Sequence, residues 1–456
     1  MIESYHPVAL IGAGPVGLVA AAHLVDAGLT PLVLEAGPSA SASIRKWSHV
    51  RVFSPWQYNV DRVARKMLEA NGWSLAEPDA FPTGGEIVAG YLEPLAALPA
   101  IAPHIRYGAR VVSVSRLGFD KMKTNGREQA PFVLHVSRGD GSDEHVLAAA
   151  VIDASGTWEM PNPIGSSGVP AIGEQQAAGQ IWYGIPDVLG RERARYAGKR
   201  VLVAGSGHSA FNALADLVAL ASDEPETHIT WVIRRDDTRQ MFGGGQADQL
   251  PERGSLGARI EQYLASGRIR LVTGFQIARV ERTPDGVVVS SATDSLPAVD
   301  EIVAATGFRP DLSLLSELRL DLDPAVESPS ALAPLIDPNV HSCGTVRPHG
   351  FRELAHPEAN FFIAGMKSYG RAPTFLMLTG YEQVRSIVAA LTGNFESAGN
   401  VQLVLPETGV CSADFSNGTA SSACCGPNPI VQVRESRATP DRVPVLAGAG
   451  DVGCGR

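Results

Sequence analysis

Residues 8–35, VALIGAGPVGLVAAAHLVDAGLTPLVLE, constrain the fold more than any other stretch of the chain. An apolar run from Val8 to Ile11 reads as a buried strand of a parallel sheet, where both faces are covered. Gly12-x-Gly14-x-x-Gly17 follows without a gap. An alanine-rich helical stretch, opened by Pro15, carries on to Gly28 before a second strand, Pro31 to Leu34, ends at Glu35. Each residue type in this βαβ fingerprint has a task. Gly12 permits the tight turn, Gly14 lets a pyrophosphate approach the backbone, and Gly17 lets helix pack on strand. The helix N-terminus then faces the phosphates. Glu35 is placed to accept hydrogen bonds from ribose hydroxyls, and its charge argues against a 2′-phosphate; a strand end of this kind suits FAD, the ligand expected here.

A chain of 456 residues has room for two domains and a sizeable core. The formal net charge of -10, with no compensating basic tail, argues against nonspecific nucleic-acid binding. No run reaches the apolar length of a membrane span, and the first strand opens within a few residues of the start, so a cytoplasmic location is expected. The five cysteines, three of them clustered near the end, do not form a disulfide framework and suit a reducing compartment.

After Glu35, Trp47, Phe53, Trp56 and Tyr58 sit among Pro and Ser rather than in a periodic pattern. They read equally as a core-capping loop or as the surround of an isoalloxazine ring, with Trp47 and Trp56 the candidate contacts. Thr83 to Leu98 has helical spacing behind a Thr or Gly start. Ile105 to Ser115, Phe132 to Ser137 and His145 to Ile152 form a three-stranded meander pattern. The last runs into Asp153-Ala-Ser-Gly156-Thr-Trp158, a strand delivered into a small-residue turn that brings backbone close to a ligand at Gly156.

A second fingerprint then opens. Lys199 to Ala204 is a strand, Gly205-Ser-Gly207-His208-Ser209-Ala210 the turn, Phe211 to Ala221 a helix, and His228 to Ile233 a strand ending in Arg234 and Arg235. Ala210 stands in the third glycine position, where only close helix packing is required. Two cations at the strand end suit a 2′-phosphate, so this site is expected to take NADPH; a solvated strand end is the plainer alternative. His208 reads as an NADPH contact or as a polar residue satisfying the turn. Residues 238–257 are too glycine-rich for a regular element, and a helix is expected from Ala258 to Ser266.

A strand at 300–305 runs into Thr306-Gly307-Phe308-Arg309-Pro310, repeating the pattern at Asp153 to Thr157. Both read as crossings between domains. The expected fold is therefore α/β: a discontinuous FAD domain, residues 1–194 and 306–393, with an inserted NADPH domain, residues 195–305. A further buried strand ends at Gly365, and a helix from about Thr374 to Leu391 points its positive end at the site. Residues 394–456 are rich in Gly, Pro, Ser and Asn and read as an irregular tail. In it, Cys411 stands ahead of the adjacent pair Cys424 and Cys425, soft ligands suited to a thiophilic ion, or inert.

The two fingerprints in this order, with the SGTW segment and its prolines at 153–163 and ATGFRP at 305–310, make residues 5–393 resemble the two-dinucleotide-domain flavoproteins. Within them the chain looks most like the flavin-containing (class B) monooxygenases and their arsenic-resistance-operon relatives. The resemblance implies FAD at the first glycine motif, NADPH at the second, and reaction of the flavin with oxygen to a C4a-hydroperoxide that oxygenates a small substrate. It also suggests trivalent arsenic for the tail cysteines. Trp182-Tyr183-Gly184-Ile-Pro-Asp-Val188 departs from the family's Phe-x-Gly-x-x-x-His pattern, keeping the glycine without the histidine. The competing reading, which shares the architecture, is a pyridine-nucleotide disulfide or mercuric-type reductase. Such enzymes carry a cysteine pair beside the flavin, whereas the first cysteine here is Cys343. A non-catalytic flavoprotein that binds a metalloid is the third class.

Replacing Arg234 and Arg235 together by alanine is expected to raise the Michaelis constant for NADPH by roughly tenfold or more, the worth of one or two charge-assisted contacts. Steady-state kinetics with NADH alongside checks it, since NADH should change little.

Overall fold

The computed structural model describes residues 6–75, 77–236, 242, 251–340, 349–372 and 376–401. These lie in one unit, Met1–Asp414, and the remainder, Phe415–Arg456, falls outside the described residues. The strands among the described residues are β1 (Val8–Ile11), β2 (Pro31–Leu34), β3 (Ile105–Arg106), β4 (Ala109–Arg116), β5 (Phe132–Arg138), β6 (Asp143–Ala148), β7 (Ala150–Asp153), β8 (Ile181–Tyr183), β9 (Arg200–Ala204), β10 (His228–Val232), β11 (Arg270–Val272), β12 (Arg279–Thr283), β13 (Gly286–Ser290), β14 (Glu301–Ala304) and β15 (Phe361–Ile363). Four helices matter for the site: α1 (Pro15–Asp26), α2 (His208–Asp223), α3 (Pro251–Ala265) and α4 (Met377–Leu391).

The apolar runs of β1, β2, β7 and β15 are buried throughout and pair in parallel, giving a sheet of order β15-β7-β1-β2-β3. The register brings their last residues side by side: Ile11 is opposite both Leu34 and Asp153, and Asp153 opposite Ile363. Four chain segments therefore leave the sheet along one edge. α1 and α4 cover one face, where Leu18, Ala20, Ala21, Tyr381, Val384 and Ile387 are in one apolar cluster. The other face carries the antiparallel meander β4-β5-β6, whose inward residues Val114, Phe132, Leu134 and Val136 pack on Ala9, Val151 and Phe361.

The second sheet, order β11-β10-β9-β14-β8, is likewise parallel, with α2 and α3 packed against it through Phe211, Leu214, Leu217 and Ile260. It takes in β8, which lies ahead of residue 195. The segment belonging to this sheet thus begins before the position at which the sequence suggested the insertion starts.

Three local expectations are corrected. The run from Thr83 is not one α-helix. Thr83 and Glu86 form a reciprocal cap over Gly84–Ile87, but Val88–Leu92 is π-helical before Glu93–Ala96 resumes. Pro94 supplies no N–H for the carbonyl of Gly90, and the Trp73 indole donates to that oxygen instead at 2.7 Å. The run 145–152 breaks at Ala149, whose N–H turns to Pro7, so β6 stays in the meander while β7 joins the parallel sheet. Residues 251–257, read as part of a glycine-rich loop, are the first turns of α3; most of 238–250 lies outside the described residues.

At the opposite edge of the first sheet, Glu358 accepts from Arg116 and Arg127, both at 2.8 Å, and from the Arg319 backbone at 3.0 Å; the three side chains are no more than 2 % exposed. The Arg116 guanidinium also stacks over the Phe132 ring at 3.6 Å. Burial pushes the Glu358 carboxyl up, but the donors together hold it below its ordinary value. Its stabilisation is complete above the unfolded carboxylate pKa and is lost as pH falls through the lower folded value. Glu358→Gln, which leaves two buried guanidinium groups without a counter-charge, is expected to cost about 3–5 kcal/mol at pH 7. The deficit against wild type should narrow in urea unfolding repeated below the ordinary carboxylate range, about pH 4, where the unfolded chain takes up a proton that the folded carboxylate still resists.

Candidate functional site

The aligned strand ends open onto a cavity of about 840 Å³. That is where a doubly wound sheet places its ligand. Gly12, Gly14 and Pro15 line it, and the tight turn at Gly12 and the close packing at Gly17 are both present. Gly12 has φ +98°, and a β-carbon there would stand 3.0 Å from the Ala154 carbonyl oxygen; a β-carbon at Gly17 would be 2.0 Å from the Gly12 oxygen. Gly17 therefore acts from beneath, as the packing contact between loop and helix. A β-carbon at Gly14 would meet nothing within 4 Å, so this glycine leaves open space on the cavity side. Gly14 caps α1 without a side-chain acceptor for the first helical N–H groups. Such uncapped donors suit an anion.

Glu35, 9 % exposed at the end of β2, does more than the sequence suggested. One carboxylate oxygen accepts from Ala13 N–H at 2.6 Å and the other from Gly37 N–H at 2.7 Å. It pins the glycine loop to the second strand while still lining the cavity. Each oxygen keeps a lone pair for a ribose hydroxyl.

The aromatic segment divides. Trp47 and Phe53 line the cavity, Trp47 lying on Gly84, where a β-carbon would be 2.7 Å from its ring. Trp56 does not line it. Its ring faces Gly90, and it belongs to the core-capping reading instead. Gly156 and Gly365 line the cavity from the two neighbouring turns, and Met377 opens α4 at the same wall. Thr374 lies outside the described residues, as do Cys411, Cys424 and Cys425.

The second fingerprint reaches the same space through His208, Ser209 and Asn212. The His208 ring meets Phe53 edge-on at 5.3 Å, so the aromatic loop of the first sheet and the helix start of the second share a wall. Gly205 has φ +129°, and a β-carbon there would be 2.3 Å from the Ala305 oxygen; Gly207 is open and caps α2 without a side-chain bond. Arg234 and Arg235 are exposed beyond β10 and do not line this cavity; Arg234 donates to the Ser166 carbonyl at 3.1 Å. Thr306 and Gly307 also stand outside it, Thr306 bonding the Asn162 carbonyl at 2.6 Å and Gly307 accepting from Asn162 N–H at 2.9 Å. They tie the two crossings to each other.

Sequence reasoning missed three features. Trp158 lines the cavity and stacks on Phe308 at 4.7 Å, both rings resting on Gly184. Asp153 and Lys367 form a fully buried ion pair at 2.7 Å beside the wall. Asp216, one turn beyond Asn212 on α2, is pushed up to about 6 by burial and by the Asp187 carboxylate. Burial likewise lowers His49, against the pull of Asp187. Only the strand-end position of Asp153 was legible in the sequence. Its partner carries no periodic signal.

With this geometry in place, the comparisons are consistent. The pyridine nucleotide-disulphide oxidoreductase family profile matches residues 138–331, and the NAD(P)-binding Rossmann-like domain profile residues 10–75. The chain is 30% identical over 265 residues to a ferredoxin–NADP reductase of Salinispora tropica, covering 55% of this chain and 72% of that one. It is 29% identical over 246 residues to a ferredoxin–NADP reductase of Gluconobacter oxydans, covering 52% of this chain and 63% of the relative, less than two thirds of its length. Among solved structures, a bacillithiol disulfide reductase from Bacillus cereus overlays with TM-score 0.60 at 19% identity, covering 85% of this chain and 99% of that one. A flavin monooxygenase mutant from Stenotrophomonas maltophilia overlays with TM-score 0.54 at 23% identity, covering 85% and 98%. At those identities the overlays establish the fold, two Rossmann-like domains, and the family and domain matches support FAD and NADPH as the cofactors.

Glu35→Ala removes the carboxylate that holds Ala13 of the glycine loop and Gly37 of the turn after β2. Losing charge-assisted bonds of about 1.5–3 kcal/mol each should weaken FAD binding at least roughly tenfold. Fluorescence titration of FAD into flavin-stripped protein measures this.

Proposed function

Since the chain belongs to the two-dinucleotide-domain flavoprotein family that includes the ferredoxin–NADP reductase of Salinispora tropica, we propose that it is an NADPH-dependent flavin monooxygenase acting on a small molecule. That it is an oxidoreductase using FAD and NADPH follows from the family and fold. The observation that carries the mechanism is the single cavity lined by both fingerprints, Gly14 and Glu35 on one side and His208 and Ser209 on the other.

Bound FAD supplies hydride acceptance from NADPH and electron delivery to an acceptor. The chain's own residues bind, orient and shield. Gly12, Gly14, Pro15 and the start of α1 hold the flavin nucleotide's diphosphate, with Gly17 packing the loop beneath, and Glu35 takes its ribose. The positive end of α4, beside Gly365, faces the cavity from the neighbouring strand. Gly205, Gly207, His208 and Ser209 cradle the second diphosphate. Arg234 and Arg235, exposed at the next strand end, receive the 2′-phosphate. Gly156, Thr306 and Gly307 set the two crossings between the sheets. Trp47, Phe53 and Trp158 exclude water from the space between the nucleotides, which oxygen transfer requires. The overall balance is NADPH, a proton, oxygen and substrate giving NADP⁺, water and the oxygenated product. Reading Cys411, Cys424 and Cys425 as a capture site for trivalent arsenic rests on the tail sequence alone.

A second reading is favoured by the family: the flavin's electrons pass to a one-electron carrier protein, as the names of the Salinispora and Gluconobacter relatives say of those proteins. A flavin-coupled dithiol is less well supported, because the sequence holds no cysteine ahead of Cys343.

Anaerobic NADPH is expected to bleach the flavin of the purified protein. On admitting oxygen with a panel of thioethers, amines and ketones, at least one compound should convert peroxide release into product formation. If instead a ferredoxin is reduced in multiple turnovers, while all consumed oxygen returns as peroxide with every compound, the carrier reading replaces the monooxygenase.

A further inference from the structure

Asp153 is the last residue of β7, and Lys367 lies two residues beyond Gly365, just after β15. Both side chains are 0% exposed. The Lys367 ammonium donates to Asp153 Oδ2 at 2.7 Å and to Ser155 Oγ at 3.0 Å. The Ser155 hydroxyl donates in turn to Asp153 Oδ1 at 2.6 Å, and the Ser155 N–H to the same oxygen at 3.1 Å. The three side chains close a ring of charge-assisted bonds, and none of them has a part in the chemistry set out above.

A buried ion pair is weak evidence for stability, since desolvation offsets much of its attraction. Here the backbone already makes the local connection: Ile363 is in register with Asp153, and Ala364 N–H bonds the Asp153 carbonyl at 2.9 Å. What the pair adds falls beyond the strand ends. Ser155 and Gly156 on one turn, and Gly365 and Met366 on the other, form adjoining parts of the cavity wall. Gly365 is held at φ +71°, with room for a β-carbon only 3.1 Å from Val16 Cγ2 in the first turn of α1. Its N–H bonds Gln383 Oε1 at 2.7 Å, and its carbonyl accepts from Ser368 at 2.7 Å. The turn therefore sits between the ion pair and the helix start that faces the cavity.

We propose that Asp153 and Lys367 are positioning residues for bound FAD. Their ion pair clamps the 154–157 turn and the 365–369 turn together beside the start of α1, and so fixes the shape of the wall against which the nucleotide lies. The inference rests on FAD occupying this cavity.

The test uses the full chain with Lys367→Met, Asp153→Asn and the double variant. FAD affinity is measured by fluorescence titration of the flavin-stripped protein, and thermal unfolding of the same flavin-free protein is followed by circular dichroism. Each single variant leaves one uncompensated buried charge and should lower the unfolding temperature. The double variant removes both charges and should recover most of it. FAD affinity should not recover: all three variants should bind at least about tenfold more weakly than wild type. Should Lys367→Met fail to accumulate, Asp153→Asn and the double variant carry the same comparison. Affinity that rises and falls with the unfolding temperature, returning to wild type in the double variant, would overturn the proposal by making the pair a stability element only. Wild-type affinity in the single variants would overturn it as well. A wild-type protein that takes up no FAD would instead reject the assignment of the cavity, and the clamp with it.

Discussion

The structure depends on one alignment. Ile11, Leu34, Asp153 and Ile363 end their strands side by side in a parallel ladder, so four loops that are far apart in sequence emerge together at one edge. Side chains alternate faces along a strand, and a slip of one residue would reverse them. The slip is prevented because both faces are covered, by α1 and α4 on one side and the meander on the other. The glycine loop, Glu35, the small-residue turn and Gly365 become neighbours through that register rather than through any attraction to each other.

Close backbone approach does the rest at short range. The second sheet repeats the arrangement, Ala204 lying opposite Val232 and Ala304, and Gly205 taking the place that Gly12 has in the first. In each motif the first glycine stands against a neighbouring crossing, the Ala154 oxygen for Gly12 and the Ala305 oxygen for Gly205. The turn after the adjacent strand is thereby part of the nucleotide loop's own packing. This explains why small residues recur at both crossings.

Several charges around the cavity have partners: Lys46 pairs with Glu159, Arg51 donates to the Phe81 carbonyl, and Glu35 accepts from two backbone N–H groups. The starts of α1 and α2, neither of which carries a side-chain cap, add positive potential. Backbone donors are fixed by the helix and cost no side-chain entropy to present. Arg234 and Arg235 are exposed beyond β10, outside this cavity.

The sequence by itself determined both βαβ folds and the places where their backbones need glycine. Apolar runs, glycine spacing and strand-end charges act through local sterics and through the burial of adjacent residues, and these are written in consecutive positions. Gly12, Gly14, Gly17 and Glu35 were legible for that reason, as were Gly205 and the helix start at Met377 to within a few residues. Tertiary structure alone decided which aromatics face the cavity. Trp47 does and Trp56 does not, since Gly84 and Gly90 receive their rings from different sides of the interrupted helix. It also decided that β8 joins the second sheet, that Phe53 meets His208, and that Trp158 stacks on Phe308. The buried charges belong to the same class: Asp153 finds Lys367 214 positions away, and Glu358 finds Arg116 at 242. A lone lysine or glutamate in a sequence reads as solvated. Only the packed chain, by closing water out around both members of a pair, makes each the other's necessary partner.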